Sequence, residues 1–213
     1  MTKLQWDKTG EKLFESDVEK VVLYPENKPG IAWNGFVSIE EDKSTIENQE
    51  LYIDGFNYLN TASSHDYRCN ISVFTYPEEL DNIDTYALGD YVNMSVTNQS
   101  FYMFGLSYKT KIGTDLEQDN FNYKIHLVYN LSLAPSSYTN TTKSNITSPI
   151  NFTFTGYAKP IFIGGFQHTA HLIIDSRKNS KENMAILENA LYGTEDSDPF
   201  LPSVSQLSDL FST

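Results

Sequence analysis

The stretch that decides the fold class reads Tyr123-Lys124-Ile125-His126-Leu127-Val128-Tyr129. Its odd-numbered side chains are apolar or aromatic, and on a β-strand alternate side chains point to one face of the sheet. The even-numbered side chains, Lys124, His126 and Val128, fall on the other face, which we expect to be partly wet. The stretch therefore predicts a strand over about 121–129 with one face in the core.

Similar blocks of turn and aromatic residues recur from one terminus to the other and predict further strands. They cover 21–24, 31–39, 50–53, 56–59, 68–76, 100–111, 152–157 and 169–175. Asp54-Gly55 is the strongest hairpin signal in the chain, and Asn34-Gly35 is either a tight turn or a bulge. Two polar stretches, 40–49 and the middle of 132–148, are predicted to be loops.

One helix is predicted over about 180–192. Asn179 or Ser180 can cap its start, and Gly193 can adopt the left-handed conformation that ends it. Its apolar stripe consists of Met184, Leu187 and Leu191, widened by Ile186 and Ala190. A single amphipathic helix of this length needs a sheet to cover its stripe. The predicted fold is therefore mainly β, a sandwich or barrel with one flanking helix near the C-terminus.

Length and composition agree with one folded domain. The chain has 213 residues, of which 39% are hydrophobic and 14% aromatic, so it can bury a core and is not disordered. We expect a single domain over 1–213, with an N-terminal assembly arm at about 1–20 and a C-terminal tail at about 194–213.

The charge and the cysteine content exclude several functions. A net charge of −13 disfavours binding to nucleic acid, which depends on Lys and Arg replacing counterions at phosphates. Cys69 is the only cysteine, so an intrachain disulfide and two-cysteine metal motifs are excluded.

The first residues lack the apolar stretch of a signal peptide, and the sequence contains no apolar run long enough to insert into a membrane. We expect a cytosolic chain.

No set of residues predicts an enzyme. His168 and His171 lie three apart, and on a strand they point to opposite faces, so we interpret the pair as incidental. His126 could be recruited from another strand as a metal ligand, but we expect it to be structural. The acidic runs at 40–42, 78–84 and 196–198 fall in predicted loops, where carboxylates are solvated. Gly164-Gly165 does not match a phosphate-binding loop. We therefore predict no catalytic residue, no metal ligand and no cofactor.

Several short sequence blocks follow one another over nearly the whole chain. They are Trp6-Asp7 with Gly10-Glu11 and Phe14-Glu15, Gly30-Ile31-Ala32-Trp33-Asn34-Gly35, Phe74-Thr75-Tyr76-Pro77, Leu172-Ile173-Ile174-Asp175-Ser176 and Leu187-Glu188-Asn189-Ala190-Leu191-Tyr192-Gly193-Thr194. In order and spacing these blocks resemble the major tail (tail tube) proteins of long, non-contractile-tailed bacteriophages. The segment 136–151 departs from that family because it is unusually rich in Asn and Thr.

The resemblance implies a structural virion protein. Six copies would form a ring, and the rings would stack into the hollow tail tube that conducts DNA from capsid to host without binding it specifically. Its partners would be further copies of itself, the tape measure, the tail tip and the terminator. Assembly would take place in the host bacterial cytoplasm. The fold is shared with contractile-tail inner tubes and with the tube of type VI secretion, so fold alone does not separate these systems.

A ring requires that one surface of a subunit meets a different surface of the next, and pairing of edge strands between neighbours would satisfy this need. Stacking of the rings needs a second set of contacts, for which the N-terminal arm, the loop at 40–49 and the C-terminal tail are candidates. Trp6 and Phe14 are candidate anchors because aromatic residues dominate interface energetics; membership of the subunit's own core is the alternative. Glu40, Glu41 and Asp42, which open the predicted loop at 40–49, are candidates for stacking contacts. We further hypothesise that acidic side chains line the lumen and repel DNA.

Two other functions remain open from the sequence. An acidic, aromatic-rich β-sandwich could recognise a receptor or a carbohydrate through exposed Tyr and Trp. A tail terminator or tube-capping protein would also form a ring but would stop growth after one. Self-stacking distinguishes a tube subunit from both.

Overall fold

A computed structural model describes residues 4–42, 48–53, 56–62, 67–80, 103–116, 122–137, 149–163 and 168–211. Its strands are β1 (Leu13–Tyr24), β2 (Ile31–Ala32), β3 (Phe36–Asp42), β4 (Asn48–Ile53), β5 (Phe56–Ala62), β6 (Tyr67–Val73), β7 (Phe104–Thr114), β8 (Asn122–Ser137), β9 (Phe152–Ala158) and β10 (His171–Asp175). Two helices follow the last strand: α1 (Lys181–Tyr192) and α2 (Val204–Phe211). The predicted mainly β fold with a helix at about 180–192 is confirmed.

Eight strands form one antiparallel sheet. The strand order is β2-β1-β7-β8-β9-β6-β3, and β10 pairs with β8. Strands β4 and β5 form a separate hairpin with Ile53 opposite Phe56. The strands predicted on either side of Asp54-Gly55 are thus confirmed, while those two residues themselves lie outside the described part of the chain.

The chain divides into two compact units. The first unit comprises Met1–Trp33, Leu106–Leu127 and Leu172–Thr213, and the second comprises Asn34–Gly105 and Val128–His171. Each unit is assembled from segments that are distant in the sequence. The expectation of a single domain stays a prediction.

The core of the first unit joins strands β1, β7 and β8 to helix α1. Its fully buried side chains include Leu23, Leu106, Ile112, Ile125, Leu127, Leu187 and Leu191. Tyr24 connects strand and helix, because its hydroxyl lies 2.9 Å from Ser107 Oγ and donates to the Leu191 carbonyl at 2.9 Å. A buried hydroxyl with two partners avoids the cost of lost hydration.

Helix α1 begins and ends at the predicted residues, but the ψ of Gly193, 172°, differs from that of the predicted left-handed helical conformation. Ser180 caps it by accepting a hydrogen bond from the Asn183 N–H at 3.1 Å, and Gly193 ends it with a φ of +77°. The predicted stripe is buried except for Ile186, which is partly exposed. The apolar stripe of α1 is therefore wider than the part of the helix that packs against the core.

Helix α2 was not predicted, although a local signal was present. The Ser203 hydroxyl accepts from the Gln206 N–H at 3.3 Å, and Gln206 Oε1 accepts from the Ser203 N–H at 2.8 Å. This reciprocal pair is a capping box, which satisfies two backbone donors at a helix start. Leu207 is the buried anchor of this short helix.

The core of the second unit lies on β6 and its neighbours. Alternate side chains of β6, Cys69, Ile71 and Val73, are buried. Gly156 on β9 faces Cys69 in the antiparallel register. A Cβ at Gly156 would lie 2.6 Å from the Cys69 sulfur, so a side chain there has no space. The predicted strand at 68–76 is confirmed as far as Val73, and Thr75 is exposed beyond its end.

The stretch 31–39 forms two strands with different partners. Strand β2 pairs with β1, whereas β3 pairs with β6. Gly35 lies in the turn between them with a φ of +73°, a conformation that favours glycine. A Cβ at this position would lie 2.5 Å from Thr75 Cγ2. Asn34-Gly35 is therefore a turn between strands.

The partly wet face predicted for β8 is wrong at two of its three positions. His126 and Val128 are buried, and only Lys124 keeps partial exposure. The His126 ring stacks on Tyr108, with 4.4 Å between ring centroids, and its Nε2 lies 3.1 Å from Thr110 Oγ1. The imidazole can be buried because its Nε2 retains Thr110 as a hydrogen-bond partner.

Membrane crossing by a helix finds no support in the part of the chain that the structure describes. Neither α1 nor α2 combines the length and the apolar composition needed to span a bilayer.

Candidate functional site

The N-terminal segment before β1 presents an exposed aromatic side chain. Trp6 is 77% exposed. The segment is nevertheless held in place, because the Gly10 N–H donates to Asp115 Oδ1 at 2.9 Å and the Glu11 N–H to the Lys8 carbonyl at 3.0 Å. Gly10 adopts a φ of +87° at this turn. The indole is thus displayed by a segment fastened to the end of β7.

Phe14 lies on β1 and is 49% exposed. Its neighbour Leu13 is also exposed. The structure places both Trp6 and Phe14 outside the core of the first unit, so the alternative that they serve as core residues is wrong. Their role at an interface between copies stays a prediction.

The outer edge of β1 extends well beyond its short neighbour β2. Only Val22 and Leu23 pair with β2, opposite Ala32 and Ile31. Residues 13–20 of β1 have no second strand beside them in the described part of the chain. Asp17 and Lys20 in this stretch have φ values of 53° and 52°. Local twisting and charged side chains protect an exposed edge from unspecific pairing.

The acidic residues of this edge are balanced by lysines of the neighbouring strands. Glu15 pairs with Lys124 of β8. Asp17 and Glu19 both pair with Lys111 of β7, at 3.5 and 3.1 Å. Exposed pairs of this kind contribute about 0–1 kcal/mol each. Their main effect is to neutralise the charge that β1 would present to another strand.

Lys109 occupies a more enclosed position between sheet and helix. Its side chain is 12% exposed, and its Nζ lies 3.5 Å from Glu188 on α1 and 3.7 Å from the centre of the Tyr123 ring. A second carboxylate, Glu19, lies at 4.0 Å. Burial, together with Glu188, raises the pKa of the Tyr123 hydroxyl to about 12. Lys109 thus links α1 to the sheet through its ion pair with Glu188 and its cation–π contact with Tyr123.

Glu40, Glu41 and Asp42 lie in strand β3, and the prediction of a loop over 40–49 is wrong for them. They pair in register with Asn70, Cys69 and Arg68 of β6. Cross-strand pairing, including an opposite charge facing Asp42, holds in a strand a run whose local composition favours a loop. Residues 43–47 lie outside the described part, and 48–49 begin β4.

Glu41 and His171 come together within the second unit. Glu41 Oε2 lies 3.8 Å from His171 Nδ1, and the Tyr67 ring contacts the imidazole edge-on at 4.9 Å. His168 instead contacts Phe162 at 5.4 Å and is exposed. His168 and His171 thus contact different aromatic rings.

Cys69 is a packed core residue. It is 1% exposed, and burial, reinforced by Glu41, raises the pKa of its thiol to about 12. A thiol of such a pKa carries almost no thiolate at neutral pH and is therefore a poor nucleophile.

An ion pair at the end of β10 was not found by sequence reasoning. Arg177 Nη2 donates to Asp175 Oδ2 at 2.6 Å, and its Nε donates to Oδ1 at 3.0 Å. The Arg177 N–H also donates to Oδ1, at 2.9 Å. These hydrogen bonds lower the pKa of Asp175 to about 2. Asp-x-Arg following an apolar strand is a weak local signal, and only the fold shows that the carboxylate is buried.

Comparison with known proteins gives only distant likenesses. No protein-family model matches the sequence, and no curated protein matches it. A chain of the PVC sheath–tube complex, from an extracellular contractile injection system in the extended state, has a TM-score of 0.35 and 11% identity over 73% of this chain and 88% of its own. A chain of the structure of the anti-feeding prophage's tube-terminating cap has a TM-score of 0.35 and 12% identity over 83% of this chain and 96% of its own.

A chain of the anti-feeding prophage baseplate is similar at a TM-score of 0.32 and 8% identity, over 80% of this chain and 97% of its own. The three similar chains are components of an injection system or of a prophage particle. TM-scores below 0.5 are too low to assign this chain a fold family or a function.

Proposed function

We propose that this protein is a structural subunit of a phage-type tail. Copies associate into hexameric rings, and the rings stack into the hollow tube through which DNA leaves the capsid. The role is structural and not enzymatic. The ordered blocks of the sequence support this function, and the observation that carries it is the outer edge of β1, where residues 13–20 extend beyond β2.

Two different strands end the main sheet, as a ring requires. The order of strands runs from β2 and β1 at one end to β3 at the other. In the proposed ring the edge of β1 in one copy lies beside β3 of the next, so that successive sheets form a closed barrel around the lumen. Because Glu15, Asp17 and Glu19 already have lysine partners, β1 can approach an acidic strand with little repulsion.

Trp6 and Phe14 supply apolar contacts between copies. Both are exposed in the isolated chain, and truncation of an aromatic hot-spot residue to Ala costs about 2 kcal/mol or more of binding energy. The net charge of −13 per copy supports a lumen that repels phosphates, since a narrow acidic channel lets DNA slide without binding.

The test is negative-stain electron microscopy of the purified protein over a concentration series, with light scattering on the same samples. Stacked six-fold rings or hollow tubes are expected for the native chain. Trp6→Ala and Phe14→Ala should raise the concentration at which they form by tenfold or more. Phe162→Ala is the control, because Phe162 is about as exposed as Trp6 but lies in the second unit.

Other outcomes identify the competing functions. Single rings that never stack would indicate a tail terminator or capping protein. A monomer at every concentration that also fails to add to tail-tip complexes would refute the proposal and favour a binding module, for which a glycan-array screen would be the next measurement.

A further inference from the structure

A cavity of about 460 Å³ opens in the first unit where β10 leads into α1. Its charged lining consists of Lys124, Asp175, Arg177 and Lys178. Ile173 and Phe211 supply an apolar wall, and Ile173 is half exposed. Because Lys124 pairs with Glu15 and Arg177 with Asp175, Lys178 leaves the cavity with one uncompensated positive charge in a chain of charge −13. We call it the basic cavity.

The cations of the basic cavity differ in whether they have an ion-pair partner. Lys124 pairs with Glu15, and Arg177 pairs with Asp175. The Lys178 side chain is exposed, and its ammonium group forms no ion pair or hydrogen bond with the residues that the structure describes. A positive charge without a local partner, beside an apolar wall, is suited to an acidic peptide segment that also carries an apolar side chain.

Such a segment lies elsewhere in the same unit. The acidic loop, as we call it, reads Thr194-Glu195-Asp196-Ser197-Asp198 and is exposed throughout. The Thr194 N–H donates to the Ser197 carbonyl at 2.9 Å, and the Asp196 N–H to Thr194 Oγ1 at 3.3 Å. The three carboxylates of the loop have no hydrogen-bond or ion-pair partner among the described residues. Its backbone is thus fixed while its charge is unneutralised.

The loop is anchored on its far side, next to an exposed aromatic ring. The Pro199 carbonyl accepts from the Gly30 N–H at 2.7 Å, and the Phe200 N–H donates to the Ala190 carbonyl at 2.8 Å. The Phe200 side chain remains exposed. A rigid loop loses little conformational entropy on binding, so its charges are preorganised for a contact.

We propose that the acidic loop of one copy docks in the basic cavity of a second copy. The inference rests on the self-assembly proposed above and assigns one of its contacts. The loop carboxylates face Lys178, the uncompensated cation of the cavity, and Phe200 packs against the wall formed by Ile173 and Phe211. Because loop and cavity are different surfaces, the contact is heterologous and can be repeated from copy to copy. It supplies part of an interface whose remaining area comes from the strand edges.

Charge-reversal variants test the contact. Lys178→Glu changes the cavity and Asp196→Lys changes the loop, while Lys159→Glu, at an exposed lysine of the second unit, is the control with the same charge change. Association is followed by sedimentation velocity and light scattering at two salt concentrations, and folding of each variant is checked by circular dichroism.

Each single reversal should raise the concentration needed for association by at least tenfold, because like charges then oppose each other. An equimolar mixture of the two single variants should recover association, since each offers the surface that matches the other. The double variant should recover it as well. High salt should weaken the native contact, and the control should behave like the native chain.

Three results would overturn the inference, and they separate it from the proposed function. If the native chain assembles and both reversals assemble equally well, the contact is absent while the tail-tube function stands. If only the cavity variant is impaired and mixing restores nothing, the loop is not the occupant. If the native chain never self-associates, the inference and the proposed function fail together.

Discussion

Replacing Asp175 by Asn should destabilise the subunit by about 2 kcal/mol at neutral pH. The Asp175 carboxylate is 10% exposed and holds Arg177 through a bidentate contact at 2.6 and 3.0 Å. Those hydrogen bonds lower its pKa from 3.8 to about 2. Since one pKa unit corresponds to about 1.4 kcal/mol, the change from 3.8 to about 2 corresponds to about 2.5 kcal/mol, which solvent screening at the exposed Arg177 reduces to about 2 kcal/mol of stability.

The pH dependence has a definite sign. The folded state holds the carboxyl group at a pKa below its unfolded value, so the folded state favours the ionised form. The stabilisation is complete above about pH 4 and is lost as the pH falls through about 2. The difference in stability between the native chain and Asp175→Asn should therefore be largest at pH 7 and shrink below pH 4.

Urea denaturation followed by tryptophan fluorescence measures this difference, at concentrations too low for association to add to stability. Glu26→Gln is the control, because Glu26 is exposed in the turn after β1 and its loss should change the free energy of unfolding by less than about 0.5 kcal/mol. A loss below about 0.5 kcal/mol for Asp175→Asn at pH 7 would refute the reasoning. So would a loss that is the same at pH 3 as at pH 7.

Three further outcomes are expected. Leu187→Ala should lower the free energy of unfolding by about 2–5 kcal/mol because Leu187 is fully buried, whereas Ile186→Ala in the same helix should cost less than about 1.5 kcal/mol; equal losses in thermal denaturation would contradict the described helix face. Tyr24→Phe should cost about 1–3 kcal/mol by removing the donor to the Leu191 carbonyl, and unchanged urea midpoints would argue against that bond. Cys69 should react with iodoacetamide only in the unfolded chain, and rapid labelling under native conditions would show that it is not buried.

The sequence by itself predicted the elements whose signals are local. The alternating stretch around Ile125 became part of β8, and the stripe of α1 with its Ser180 cap became a helix with the predicted ends. Asp54-Gly55 indicated the hairpin of β4 and β5. These signals depend on periodicity, capping and turn chemistry, which involve residues a few positions apart.

Tertiary structure decided the features that depend on distant partners. Glu40–Asp42 have a loop-like composition but lie in β3 because β6 pairs with them. His126 is buried because its ring stacks on Tyr108 and its Nε2 lies within hydrogen-bond distance of Thr110 Oγ1. Asp175 and Arg177 are close in sequence, but the burial of the Asp175 carboxylate depends on residues that are distant in sequence. Which strand edges are left without a neighbour, and which charges remain unpaired, follows from the order of strands. These are properties of long-range pairing, on which local sequence patterns carry no information.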